Sequence, residues 1–169
     1  MTTPRPDHFF EQADRLVVRP TVGAPRQVDL RRAISSAYYG LFHFVMRSVA
    51  DEFVGGGQRN SLRYALVYRS VDHRALRDLC GEAVKSTLSA KYKAFVPAGG
   101  FDADIQAFAR AAIGLQDKRH GADYDPRASF RMSDAKLVIL EARNAIARFQ
   151  RANDELRASF LTLLAFPPR

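Results

Sequence analysis

Residues 117–126 read DKRHGADYDP, seven ionisable side chains in ten positions. They follow IQAFARAAIGLQ (105–116), in which Ile105, Phe108, Ala112 and Leu115 recur at helical spacing. Arg119 continues that stripe, so helical geometry carries a guanidinium inward. A buried guanidinium is costly unless paired. One partner is internal: Asp123 lies four residues on, with Asp117 and Asp125 close in sequence. An Arg119–Asp123 pair would clamp the turn into the last helix, with Tyr124 packed over it. The other partner is an anion from outside the chain. Arginine, imidazole, carboxylate and phenol together suit the handling of a phosphodiester. Arg119 would bind the phosphate and stabilise charge developing on it, and His120 would transfer protons near neutral pH. Asp123 would hold either group in place, and Tyr124 would stack on a base or donate a hydrogen bond. In metal-free RNA cleavage the ribose 2′-hydroxyl attacks the neighbouring phosphorus, so the protein supplies only positioning and acid–base groups. Consecutive helical residues point about 100° apart, so Arg119 and His120 do not simply converge.

A second pairing stands in YRSVDHRALRDLC (68–80), where Arg69 and His73 have i, i+4 spacing on one helix face and Asp72 sits beside them. With Lys118, they are further candidates to contact nucleic acid. Cys80 lies on a similar face to His73, but one cysteine and one histidine do not make a metal site, and neither a metal nor a cofactor is expected. VGGGQRN (54–60) lacks the Lys-Ser/Thr of a phosphate loop, and no strand precedes it. His43, between Phe42 and Phe44, reads as a hydrogen-bonded core residue. Tyr38 and Tyr39 read as large core side chains whose hydroxyls find partners at its edge.

The elements that must position these groups are helices. Proline and glycine punctuate the chain into helical segments at 6–18, 26–54, 61–92 (with a break near Ser70–Asp72), 102–120 and 134–165, the last capped by Ser133. Gly121 weakens the end of the fourth, and DYDP (123–126) reads as a turn because Pro126 disfavours helical geometry at Asp125. No segment alternates with period two. The expectation is an all-α, up-and-down bundle of four to five helices, one domain over 1–169 with its core at about 7–150. In the longest segment Ala33, Ala37 and Gly40 make a small-residue face, Tyr38, Phe42, Val45 and Val49 a bulky one, and Arg32, Ser36, Tyr39 and His43 a third. A helix with so few positions made for water is either central or meets a second subunit, which gives a homodimer through helix 27–53 as one expectation.

Composition sets the outer bounds. The 169 residues carry 26 Lys plus Arg against 18 Asp plus Glu, a formal charge of +8 that suits a nucleic-acid partner. Most of the cations are arginine, whose planar fork matches phosphate. A GC-rich genome accounts for arginine equally well. One cysteine allows no intrachain disulfide. The first residues lack a secretion signal and no run is long and apolar enough for a membrane span, so a cytoplasmic location and no membrane partner are expected.

RRAISSAYYGLFHFV (31–45) resembles the second-helix signature of HEPN domains, specifically an uncharacterised bacterial HEPN-like group. LQDKRHGADYDP (115–126) is similar to that group's second signature, an arginine followed by Ala-Asp-Tyr before the last helix. The two stand in the right order and separation, and the resemblance covers about residues 7–150. It implies a helical bundle, often a homodimer with two basic motifs near the symmetry axis. The activities it implies are metal-independent endoribonuclease in toxin–antitoxin, antiviral or RNA-processing systems, binding of nucleic acid alone, or pairing with a nucleotidyltransferase-like partner. Catalytic members carry a histidine four to six positions after the arginine. Here His120 follows Arg119 at once, and Asp123 or Tyr124 stands near the histidine's place.

Overall fold

The computed structural model describes residues 3–168, and these form α-helices with no strand among them. Helix α1 (Pro6–Leu16) opens on a proline whose fixed φ suits the first turn. Helix α2 (Gln27–Val54) runs until Gly55, whose φ of 94° a side chain would strain. It is the central helix, packed by α1, by α3 (Leu62–Tyr68), by α6 (Ala103–Tyr124), by α7 (Met132–Arg151) and by α8 (Asp154–Ala165). Helix α4 (His73–Ala83) packs on α6 and α8, and α5 (Ala90–Lys93) is one short turn.

The small-residue face of α2 is taken up inside the chain. A Cβ at Gly40 would lie 2.8 Å from the Phe10 ring, so glycine lets α1 lie close against α2. Ala33 and Ala37 are fully buried. The near-complete burial of α2 is thus accounted for by its own chain's helices. Phe108, Phe149 and Phe160 fill the space between α6, α7 and α8 with centroids 4.8–5.8 Å apart.

The helices number eight rather than four to five among the described residues. Two expected segments are divided by caps. Ser61 accepts from the Tyr64 amide and starts α3, Asp72 accepts from the Ala75 amide and starts α4, and the short α5 follows without a side-chain cap, so 61–92 yields three helices. The helix expected over 134–165 is two, because Asn153 accepts from the Glu155 and Leu156 amides and starts α8. Ser133 is not a cap. Helix α7 begins at Met132, two residues before the expected start, and Asp134 accepts from the Arg131 amide at 2.7 Å.

Candidate functional site

The site forms where the C-terminal half of α6 crosses α2. Helix α6 does not end near Gly121 but continues through Tyr124. Ala122 is buried there, and Arg31 of α2 reaches across to the end of the helix. Its guanidinium donates to the carbonyls of Ala122 and Asp125, each at 2.9 Å, and to that of Ala128. A cation on the last carbonyls satisfies groups a helix end leaves open and complements its dipole. Gln27 adds a two-way hydrogen bond with the backbone of Phe130, at 2.8 and 2.9 Å, which pins the following loop to α2. The turn expected at 123–126 is therefore displaced: Arg119, Asp123 and Tyr124 all lie in helix, and chain reversal waits for extended geometry at Asp125.

Helical continuity puts Asp123 one turn from Arg119. Its Oδ2 lies 2.8 Å from Arg119 Nε, but off the N–H direction, so the buried Nε–H has no aligned acceptor. Nη2 donates to the Tyr39 hydroxyl at 2.7 Å. The guanidinium carbon lies 5.3 Å from the Tyr39 ring centroid and 5.4 Å from that of Tyr124, both cation–π distances. Ser35 of α2 donates to the other Asp123 oxygen. Burial opposes the charge on Arg119, but the Tyr39 hydrogen bond and the Asp123 carboxylate outweigh it and raise its pKa. The side chain is a held cation, 16% exposed.

Two imidazoles flank Tyr39. His73, the first residue of α4, shares a 2.8 Å hydrogen bond between Nδ1 and the Tyr38 hydroxyl. Its ring centroid lies 3.9 Å from that of Phe42 and 6.1 Å from that of Tyr39. Gln116 of α6 donates to its carbonyl at 3.3 Å, which ties the start of α4 to the site. His43, one turn beyond Tyr39 on α2, stacks on Phe9 of α1 at 4.5 Å and pairs its Nδ1 with the Tyr68 hydroxyl. Its centroid is 6.5 Å from that of Tyr39. Burial and then the Arg119 charge push the His73 pKa below its ordinary value, against a smaller opposing effect of Asp72. Burial and then His73 do the same to His43. Both imidazoles are neutral near neutral pH. Burial also pushes Tyr38 up, and Tyr68 up to about 12, so both phenols keep their protons.

Of the residues singled out from the sequence, Arg119, Asp123 and Tyr124 cluster, and His73 joins them from another helix. His120 is exposed, its ring centroid 4.9 Å from that of Tyr124, and it makes no hydrogen bond to Arg119 or Asp123 among the described residues. Lys118 pairs with Glu141 of α7. Arg69 shares no helix with His73. It caps α3, is exposed, and lines an apolar groove with Leu62, Leu66 and Phe166. The contributions of Tyr39, His43, Tyr38, Tyr68 and Ser35 are new. The sequence signal reaches two of them, Tyr39 and His43, which stand four residues apart on the third face of α2. Cys80 is fully buried, and among the described residues no group of three His, Cys, Asp or Glu side chains could hold a metal ion. No described helix is long and apolar enough to cross a membrane. Comparisons of the chain with protein-family models, curated proteins and solved structures found no match.

Proposed function

We propose that the chain is a HEPN-like, RNA-associated protein of the cytoplasm, and that its site cleaves a phosphodiester without a metal ion. The observation that carries the reading is a held guanidinium and a neutral imidazole brought to one tyrosine from three helices: Arg119 of α6, His73 of α4 and Tyr39 of α2. Arg119 binds the phosphate and stabilises charge developing on it, a role suited to a preorganised cation. His73 takes the 2′-hydroxyl proton. Tyr124, its ring exposed beside Arg119, offers a base a stacking face. Asp123 fixes the guanidinium and competes with the phosphate for it. The net charge of +8 favours the approach of RNA. His73 supplies the imidazole that the Arg119 segment lacks at its own later positions. In the homodimer the resemblance implies, two such sites would lie near the symmetry axis.

A specific observation favours a second reading, a non-catalytic helical module that docks a partner such as a nucleotidyltransferase-like antitoxin. Asp123 and two tyrosine rings cover Arg119 to 16% exposure, as a purely structural ion pair would be. The exposed apolar side chains of Leu62, Leu66 and Phe166 give such a module a surface.

Anisotropy of a labelled single-stranded RNA separates the two. Arg119→Ala is expected to weaken binding about tenfold while circular dichroism stays that of a folded helical protein, as loss of one phosphate contact requires. Unchanged binding with a lower melting temperature selects the docking module.

A further inference from the structure

His43 is not built like a core histidine. An imidazole in a core has both ring nitrogens satisfied. His43 has a partner at Nδ1, the Tyr68 hydroxyl, and none at Nε2 among the described residues. His73 repeats the pattern, with Tyr38 at Nδ1 and no such partner at Nε2. Neither Nε2 is sealed, because Arg119 Nε is the one buried side-chain nitrogen or oxygen without a partner among the described residues. Each ring is thus held at its inner nitrogen by a phenol and reaches solvent with its outer one. The rings are fixed from the sides as well, His43 by the stacked Phe9 and His73 by Phe42. Both border Tyr39, whose hydroxyl binds the Arg119 guanidinium.

Resting on the ribonuclease reading above, we propose that His43 is a second catalytic histidine, the general acid that completes a proton-transfer pair with His73. The pair works in the tautomer that gives each Nδ1–H to a tyrosine oxygen, an acceptor as well as a donor, and so leaves each Nε2 for chemistry. The 2′-oxygen attacks phosphorus and its proton passes to His73 Nε2. The bond from phosphorus to the 5′-oxygen breaks, and that oxygen takes the proton from Nε2 of protonated His43. The products are a 2′,3′-cyclic phosphate and a 5′-hydroxyl, with no net gain or loss of protons by the pair. The assignment of roles follows the guanidinium. Burial and then the guanidinium charge keep His73 neutral as a base, while His43 stands beyond Tyr39 without that charge acting on it and takes up its proton from solvent when a phosphate binds beside it. Tyr68 and Tyr38 are positioning residues.

The test compares an RNA pool with the para-nitrophenyl esters of uridine and adenosine 3′-phosphates, whose leaving group needs no proton. His43→Asn is expected to slow RNA cleavage about 100-fold or more, the typical share of a general acid, and the esters by less than about threefold. His73→Asn is expected to slow both. If His43→Asn slows both substrates equally, or neither, while wild type cleaves, this proposal falls and the ribonuclease reading stands. Wild type inert on both overturns the two together. Should His43→Asn not fold, Tyr68→Phe carries the test. Loss on RNA with the esters spared supports the acid role, and equal effects overturn it.

Discussion

Asp123→Asn changes one charge and almost no volume, and it separates the two roles Arg119 can have. The carboxylate lies 2.8 Å from Arg119 Nε, with side-chain exposures of 16% for arginine and 23% for aspartate. Breaking a fully buried pair costs about 3–5 kcal/mol, and an exposed pair contributes about 0–1 kcal/mol. This pair lies between, and the amide can still accept from Ser35, so the loss should be about 2 kcal/mol. For a chain of this size that lowers Tm by about 4–8 °C. The same change removes the anion that competes with RNA for the guanidinium. Binding to a single-stranded RNA at low salt should tighten about two- to tenfold. The plot of log K against log salt should steepen by about 0.7, one phosphate's worth for a single strand. Thermal unfolding and anisotropy titrations at several salt concentrations read both effects. A lower Tm with affinity and salt slope unchanged would refute the idea that Arg119 is held for an external phosphate.

Gly40→Ala places a methyl 2.8 Å from a Phe10 ring that is itself only 6% exposed, so it should destabilise by about 1–3 kcal/mol, read by denaturant midpoint. His43 and His73 have folded pKa values below the ordinary imidazole value of 6.5, so the unfolded chain binds protons that the folded chain refuses. Their contribution is complete above that value and is lost as pH falls through the folded pKa values, so stability should drop from pH about 7 to about 5, and the double variant His43→Gln/His73→Gln should flatten the profile. Cys80, fully buried with its thiol pushed well up by burial, should resist a thiol reagent in the native protein and react on unfolding; rapid native labelling would contradict its placement.

Local chemistry explains which parts of the fold were legible in the sequence. Helix α2 was readable within one residue because a glycine run follows it and Gly55 takes a positive φ. The break near Ser70–Asp72 is legible in the sequence, and Asp72 caps α4 there, whereas Asn153 caps α8 within a stretch whose apolar period runs on unbroken, which hides its start. The end of α6 could not be read locally. Gly121 costs a helix only about 1 kcal/mol, and what sustains the last turn is Arg31, more than ninety positions away. The site divides the same way. Arg119, Asp123 and Tyr124 share a helix end, so their cluster follows from spacing. The joining of His43 to Tyr68 depends on α3 packing on α2, and that of His73 to Tyr38 on α6 holding the first residue of α4 against α2, and no local pattern encodes either. The central place of Tyr39 was hidden for another reason: half-buried phenols in apolar helices are ordinarily packing residues.

The central claim is that Arg119 and His73 act together on a phosphodiester. Its most direct test is incubation of mixed RNA pools with the protein in EDTA, with the fragment ends analysed, for wild type and His73→Asn. The account expects fragments ending in 2′,3′-cyclic phosphate from wild type and about 100-fold fewer from the variant. No such fragments from wild type across several pools, or an equal yield from His73→Asn, would contradict it.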